Sequence, residues 1–388
     1  MEQQETVLLG LLRQAIAEEP KGSLTADADA FACARRHKVL PLLYDVLDQQ
    51  VTDEEQRILD RETQKTIAQF WRLFHFTKRA CDVLENAGVT AVVLKGISAA
   101  KAYPVMEYRK SGDVDLLIKA EEMERAEHAL ETIGCKRASL QDSLHHVAFE
   151  GPDGIEIEVH TLFAEPFDNK EANKKLEQFS RDALNHIVQT EIEGTVFPML
   201  EPAWLAFSLV MHMLQHYLRA GFGLKLLTDW TVFWNVNGSE ELKAEYIAMV
   251  SELKIDGFSD LVSSACVEFL GLSESCMPEN RTERNLCEAF LNEVFAGGEF
   301  GHDQSSRMVA LRKNSLLEYV REFHHQMRLN YPDLSSYIPL WPGLWTATLI
   351  RFLNNNRKLR KISAVAILKE AGRRGKLNEQ IHLFEPHK

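Results

Sequence analysis

Asp113 and Asp115 lie two apart in "SGDVDLLI", a run whose remaining members, Val114, Leu116, Leu117 and Ile118, are apolar. Residues two apart on a strand share a face, so both carboxylates point one way and Val114, Leu116 and Ile118 the other. A later run, "IEIEVH", repeats the arrangement. Glu156, Glu158 and His160 share one face, and Ile155, Ile157 and Val159 the opposite one. If the two strands are neighbours, four carboxylates converge on one sheet face. Like charges that close need a counter-charge to stay ionised. Hard divalent cations take oxygen ligands, and Mg²⁺ combines one or two carboxylates with waters and substrate phosphates. Two such ions about 3.5–4 Å apart can clamp an in-line displacement at phosphorus.

Asp-x-Asp alone says little, because "TADADAF" also carries a pair, Asp27 and Asp29, near an expected helix start where aspartates serve as caps. The second pair differs in its setting. It lies in an apolar strand, it follows Lys95-Gly96 and Arg109, and it precedes a second acidic strand. A half-exposed hairpin would show the same alternation in "IEIEVH" without any chemistry, and residue types alone leave both readings open.

Gly96 follows an apolar run and precedes a short helix. A turn there presents backbone N–H groups near a helix N-terminus, a setting suited to an anion. Lys95 and Ser98 would add a charge and a hydroxyl, and Arg109 and Ser111 approach from the loop before the aspartates. The fork of donors on arginine matches phosphate. The pattern is not G-x-x-x-x-G-K-[ST], so a P-loop ATPase is not indicated. Further on, His212 and His216 share a helix face. That spacing can bind zinc, but no Glu follows the first His and no third ligand is evident, so polar core or pocket lining is the plainer reading. Lys225 and Asp229, also four apart, read either as a simple helix pair or as pocket wall. His145 and His146 open the acidic hairpin and read as structural.

The elements that must position these residues follow from periodicity. Residues 5 to about 80 read as helices, the longest running from "EEQRILD" to a C-cap at Gly88. "VTAVVL" and "DVDLLI" read as strands, "ISAAKAYP" and "AEEMERAEHALETIG" as helices, and "HHVAFEGPDGIEIEVHTLF" as a hairpin about a Pro-Asp-Gly turn. From about 170 the chain reads as helix again. The expected division is 1–80 helical, 81–165 a small mixed α/β core, and 166–388 a larger helical region.

The order strand, small-residue turn, helix, Asp-x-Asp strand and later acidic strand resembles the DNA polymerase β-like nucleotidyltransferase superfamily. "LKG…YP…R-x-S-G-D-V-D-L-L-I" followed by "E-V-H" is similar, more narrowly, to the bacterial family of uncharacterised nucleotidyltransferases. Its members are often linked to polysaccharide biosynthesis. "ARRHKVLPLLYDVL", "HMLQHYLRAGFGLKLLTDWTVF" and "YPDLSSYIPLWPGLWTATLIRF" extend the resemblance over most of the chain. It implies an α+β fold, with a polymerase-β-like mixed-sheet core between helical regions. It also implies transfer of an NMP from an NTP such as ATP to an acceptor hydroxyl, of a saccharide or another small molecule, with release of pyrophosphate. Asp113, Asp115 and Glu158 would hold two Mg²⁺ ions, with Mn²⁺ as a substitute and Glu156 as a rival to Glu158. Lys95, Gly96, Ser98, Arg109 and Ser111 would hold the nucleotide, and His212, His216, Lys225 and Asp229 would wall the pocket. The chain departs from the superfamily in having Lys95-Gly96-Ile97 where Gly-Ser or Gly-Gly is usual, and in a longer spacing from that turn to the aspartates. A non-catalytic nucleotide-binding or scaffolding module and a metal-dependent phosphohydrolase are the alternatives.

Composition sets the outer limits. The chain has 388 residues, 45% of them hydrophobic, enough for two or three units with a sizeable core. Its net charge of −13 argues against a protein that coats nucleic acid. The N-terminus lacks the basic start and apolar core of a signal peptide, and no run has the roughly 18 apolar residues of a membrane span. Six scattered cysteines with no C-x-x-C pair suggest neither a zinc knuckle nor a disulfide framework, so a reduced, cytoplasmic setting is expected. The oligomeric state is left open.

Overall fold

Alternation along β2 (Asp113–Leu117) decides how the molecule is layered. Val114 and Leu116 face one hydrophobic core, and Leu117 faces another. The sheet between these cores is the organising element of a computed structural model that describes residues 1–17, 26–47, 50–138, 143, 145–167, 169–218, 221–278, 280–297, 315–355, 372 and 375–384. It is a seven-stranded mixed sheet in the order β3-β4-β5-β2-β1-β7-β6. Its other strands are β1 (Val92–Val93), β3 (Lys136–Arg137), β4 (His146–Glu150), β5 (Glu156–His160), β6 (Ile187–Ile192) and β7 (Thr195–Leu200). β2 runs parallel to β5 and antiparallel to β1, and β1 runs parallel to β7. The fold is α+β, as expected.

One face of the sheet rests on α4 (Asp53–Asn86), a 34-residue helix. Thr52 and Glu55 form a capping box at its start, and Gly88, at φ +69°, follows its C-cap. A left-handed residue just past the last turn is how helices commonly stop. Phe70, Phe74, Ala80 and Leu84 of α4 pack with Val93, Val114, Leu116, Ile157, Val159, Phe197 and Met199 of the sheet. Phe74 meets Phe197 edge-on at 4.9 Å. α6 (Met123–Glu131) closes the same layer with Ala126 and Leu130.

The opposite face, marked by Val92, Leu94 and Leu117, is covered by α8 (Pro202–Leu218) and α9 (Leu224–Asn237), with α10 (Glu240–Leu253), α11 (Asp256–Leu270) and α12 (Arg284–Gly297) behind them. α1 (Gln3–Ile16) and α2 (Ala28–Arg36) belong to this second core through Leu8, Leu12 and Phe31. Asp27 caps α2, its side chain accepting from the Ala30 N–H at 2.8 Å. That Asp-x-Asp pair is therefore a helix start, in contrast to the pair on β2.

Two features depart from the sequence reading. The region after 170 is not purely helical. α7 (Lys170–Asp182) is followed by the β6–β7 hairpin, which turns through Glu193 and Gly194, both at positive φ, and adds two strands to the sheet. Nor do the two cores follow the expected boundaries at 80 and 165. α1 packs with α9 and α11, whereas most of α4 lies with α6 beneath the sheet. Among the described residues no helix is long and apolar enough to cross a membrane. The six cysteines are free thiols. α13 (Leu316–Asn330) and α14 (Trp341–Asn355) pair with each other, leaving Leu317, Ile338 and Ile350 exposed.

Candidate active site

The register of β2 against β5 sets Asp115 opposite Glu158 and Asp113 opposite Glu156. β4 adds His146 opposite His160 on the same face. Asp113, Asp115, Glu158, His146 and His160 floor a cavity of about 380 Å³, roofed by α8 and α9. Glu158 lines the cavity, whereas Glu156 is exposed at the outer end of β5 and does not. The geometry therefore separates the two rival acids in favour of Glu158.

Asp115, only 2% exposed, is heavily engaged. Its Oδ1 accepts from Lys95 Nζ at 2.7 Å and lies 2.9 Å from His160 Nε2, which is also 3.2 Å from Glu158 Oε2. Burial works to raise the Asp115 pKa, but Lys95 and His160 outweigh it and hold the carboxyl well below the usual range. Glu158 is likewise lowered: burial opposes ionisation, and the His160 hydrogen bond prevails. Burial disfavours the His160 cation too, yet its two carboxylate partners raise its pKa. Asp113 is the exception. Burial, then the neighbouring Asp115 charge, pushes it up to about 6. The floor thus carries a carboxyl whose charge is poorly compensated, in a site where Asp115, Glu158 and His160 each bring one ligand atom within 4.8 Å of the others. Oxygen donors short of positive charge suit a divalent cation.

The turn before the strand is built as its glycine requires. Gly96 sits at φ +69°, ψ −110°, a region closed to residues with a Cβ. It leads into α5 (Ile97–Ala100), only four residues long and so a weaker anion site than the sequence reading supposed. Gly96, Lys95 and Ser111 line the cavity. Ser98 does not: buried, its hydroxyl donates to the Val93 carbonyl at 3.0 Å and has no part in the pocket.

Arg109 is also placed otherwise than expected. Its Nε and Nη2 reach Asp229 Oδ1 and Oδ2, both at 2.7 Å, in a buried bidentate pair. Nη1 donates to Ser111, and Tyr103 OH donates to Asp229 Oδ1 at 2.7 Å. The guanidinium fork is committed to a carboxylate, so Arg109 reads as the tie between the loop before β2 and α9, and not as a phosphate clamp. Lys225 and Asp229 both line the cavity from α9, and Asp229 in addition holds Arg109 and Tyr103.

His212 and His216 do line the cavity, stacked edge to face at 4.4 Å. His212 Nδ1 lies 3.2 Å from Lys95 Nζ and accepts from it. Burial, then the Lys95 charge, lowers both rings, His216 to about 3. His212 is the acceptor that steadies Lys95. His145, His146 and Gln215 were not picked out as functional by sequence reasoning, yet they complete the cavity wall. For His146 the signal was its place at the start of a strand paired with "IEIEVH".

Residues 25–271 match the model of a family described as uncharacterised nucleotidyltransferase. The chain belongs to that family. The matched span takes in every residue of the cavity, from Lys95 to Asp229. Nucleotidyltransferases act on an NTP and an acceptor, and membership makes this chain an enzyme of that general kind. Among solved structures, the solution structure of the antibiotic-resistance factor ANT(2'')-Ia is similar over 47% of this chain and 92% of that one, at 15% identity and a TM-score of 0.33. No curated protein matches.

Proposed function

We propose that the cavity transfers an NMP from an NTP to an acceptor hydroxyl, with Asp113, Asp115 and Glu158 holding Mg²⁺, for which Mn²⁺ can substitute. The observation that carries this reading is the placement of three carboxylates on adjacent parallel strands, facing one cavity, with Asp115 directly opposite Glu158. Two bound ions would neutralise the triphosphate and polarise the reacting phosphoryl group. Asp113, Asp115 and Glu158 would hold the ions, whose positive charge would let Asp113 ionise, and Glu158 would take the proton leaving the acceptor hydroxyl. The acceptor oxygen forms a bond to the α-phosphorus, the bond from that phosphorus to the bridging oxygen breaks, and pyrophosphate leaves with the electron pair. Lys95, Gly96, Ser111 and Lys225 would hold the phosphates, with Lys95 exchanging its contact on Asp115 for phosphate oxygens. His212 steadies that lysine. Catalysis here is positioning and charge neutralisation. A small hydroxylated acceptor such as a saccharide fits a cavity of this size and polarity; the acidic chain does not suit bulk nucleic acid.

Incubation with α-³²P-labelled NTPs, Mg²⁺ and a panel of hydroxylated acceptors tests this. Labelled product and pyrophosphate are expected from the parent protein, and at least a 10²-fold loss from Asp113→Asn and Asp115→Asn. Release of inorganic phosphate without labelled acceptor would instead favour a phosphohydrolase. Nucleotide binding that neither substitution changes would favour a non-catalytic module.

A further inference from the structure

His145, His146 and His160 bring one ring nitrogen each to within 4.8 Å of the others at one end of the cavity. Their ring centroids are 4.5, 5.4 and 5.1 Å apart. His145 and His160 are each only 3% exposed.

The protons around this cluster can be assigned. Gln215 Oε1 accepts from the Glu165 N–H at 3.2 Å, which turns its NH₂ toward His145 Nε2, also at 3.2 Å. His145 Nε2 therefore carries a lone pair, and its Nδ1–H donates to Ser143 Oγ at 2.7 Å. Ser143 Oγ also faces the backbone N–H groups of His145 and His146. Ser143 Oγ also lies 3.2 Å from His146 Nδ1. His145 Nε2 and His146 Nδ1 stand 3.1 Å apart, a hydrogen-bonding distance at which one proton can lie between the two rings. Two imidazole nitrogens on one tetrahedral zinc ion stand about 3.3 Å apart. The other nitrogen of a metal-bound histidine usually donates to a nearby acceptor, as His145 Nδ1 does. His160 Nδ1 is buried without a hydrogen-bond partner among the described residues. Glu158 Oε1 lies 3.7 Å from His146 Nε2.

We infer that His145, His146 and His160 form a binding site for a borderline divalent transition ion of the zinc–cobalt class, separate from the carboxylate site for Mg²⁺ and adjoining it through Glu158. Imidazole favours such ions, whereas Mg²⁺ prefers oxygen donors. A bound ion would take the place of the proton between His145 Nε2 and His146 Nδ1. The inference does not depend on nucleotide transfer, only on these rings and their protons.

Co²⁺ titration of chelator-stripped protein, followed by visible d–d absorption without nucleotide, is the test. The parent should bind with intensified bands between about 500 and 650 nm, characteristic of nitrogen coordination at low coordination number. Affinity should fall about 100-fold in His145→Gln and His146→Gln, persist in Asp113→Asn, and be unaffected by excess Mg²⁺. Circular dichroism establishes that each variant is folded. If a variant fails to fold, hyperfine-shifted proton resonances of Co²⁺-bound parent protein serve instead, with signals from three imidazoles expected. Spectra unchanged by the histidine substitutions, displacement by Mg²⁺, or no shifted imidazole signals would overturn the site. Because no nucleotide is present, that failure would leave the transfer reaction standing, and failure of transfer would leave this site standing.

Discussion

Asp229 holds Arg109 through two 2.7 Å hydrogen bonds in a buried setting that also contains Tyr103. Removing one partner of such a pair leaves the other charged and desolvated, at a cost of about 3–5 kcal/mol. Asp229→Ala should lose stability of that order in urea unfolding and should also slow transfer, because the loop carrying Ser111 loses its tie to α9. His37 offers a test of acid sensitivity. Burial against Phe295 and the nearby Arg36 charge lower its pKa from 6.5 to about 3. Between those values the unfolded chain binds the proton and the folded chain does not, so stability falls as pH falls, by up to about 1.4 kcal/mol per unit. His37→Phe should flatten the difference in urea midpoint between pH 7 and pH 4.5 relative to the parent. At this scale the acids were legible because alternation fixes their common face. The fate of Arg109 was not, since its partner lies 120 residues away and a fork that fits phosphate fits carboxylate equally well.

Among the elements, the turn at Gly96 makes the most direct demand on residue type. At φ +69°, ψ −110° an alanine would be strained by about 1–3 kcal/mol. Although nothing is crowded there (the nearest atom to an added Cβ is the Asp113 carbonyl oxygen, at 3.9 Å), relief of that strain would swing Lys95 away from Asp115. Gly96→Ala should therefore weaken NTP binding more than it lowers the melting temperature; equal loss of both would refute a local role. Long helices and the acidic hairpin were readable from period and punctuation. The β6–β7 hairpin was not, although "TEIEGTVF" carries a Glu-Gly turn between β-branched residues. The amphipathic helix before it and the apolar one after it dominate a reading by windows. The strand pairing of β2 with β5 was legible only as a condition, because sequence shows alternation but not neighbours.

For the molecule as a whole, two hydrophobic cores share one sheet, and each draws on distant parts of the chain. The N-terminal helices pack on those near residue 260, a closure that local pattern cannot reveal. A fragment covering 81–165 would lack α4 beneath the sheet and α8 and α9 above it. It should bind a dye such as ANS and show poor amide dispersion by NMR; a folded, well-dispersed fragment would contradict this layering. The pairing of Val93 with Met199 has a consequence in time. At about 5–20 residues per second of synthesis, β1 leaves the ribosome roughly 5–20 s before β7 exists to cover its far edge, with β2 and β5 emerging in between. Throughout that wait the nascent sheet has one bare margin and one uncovered apolar face.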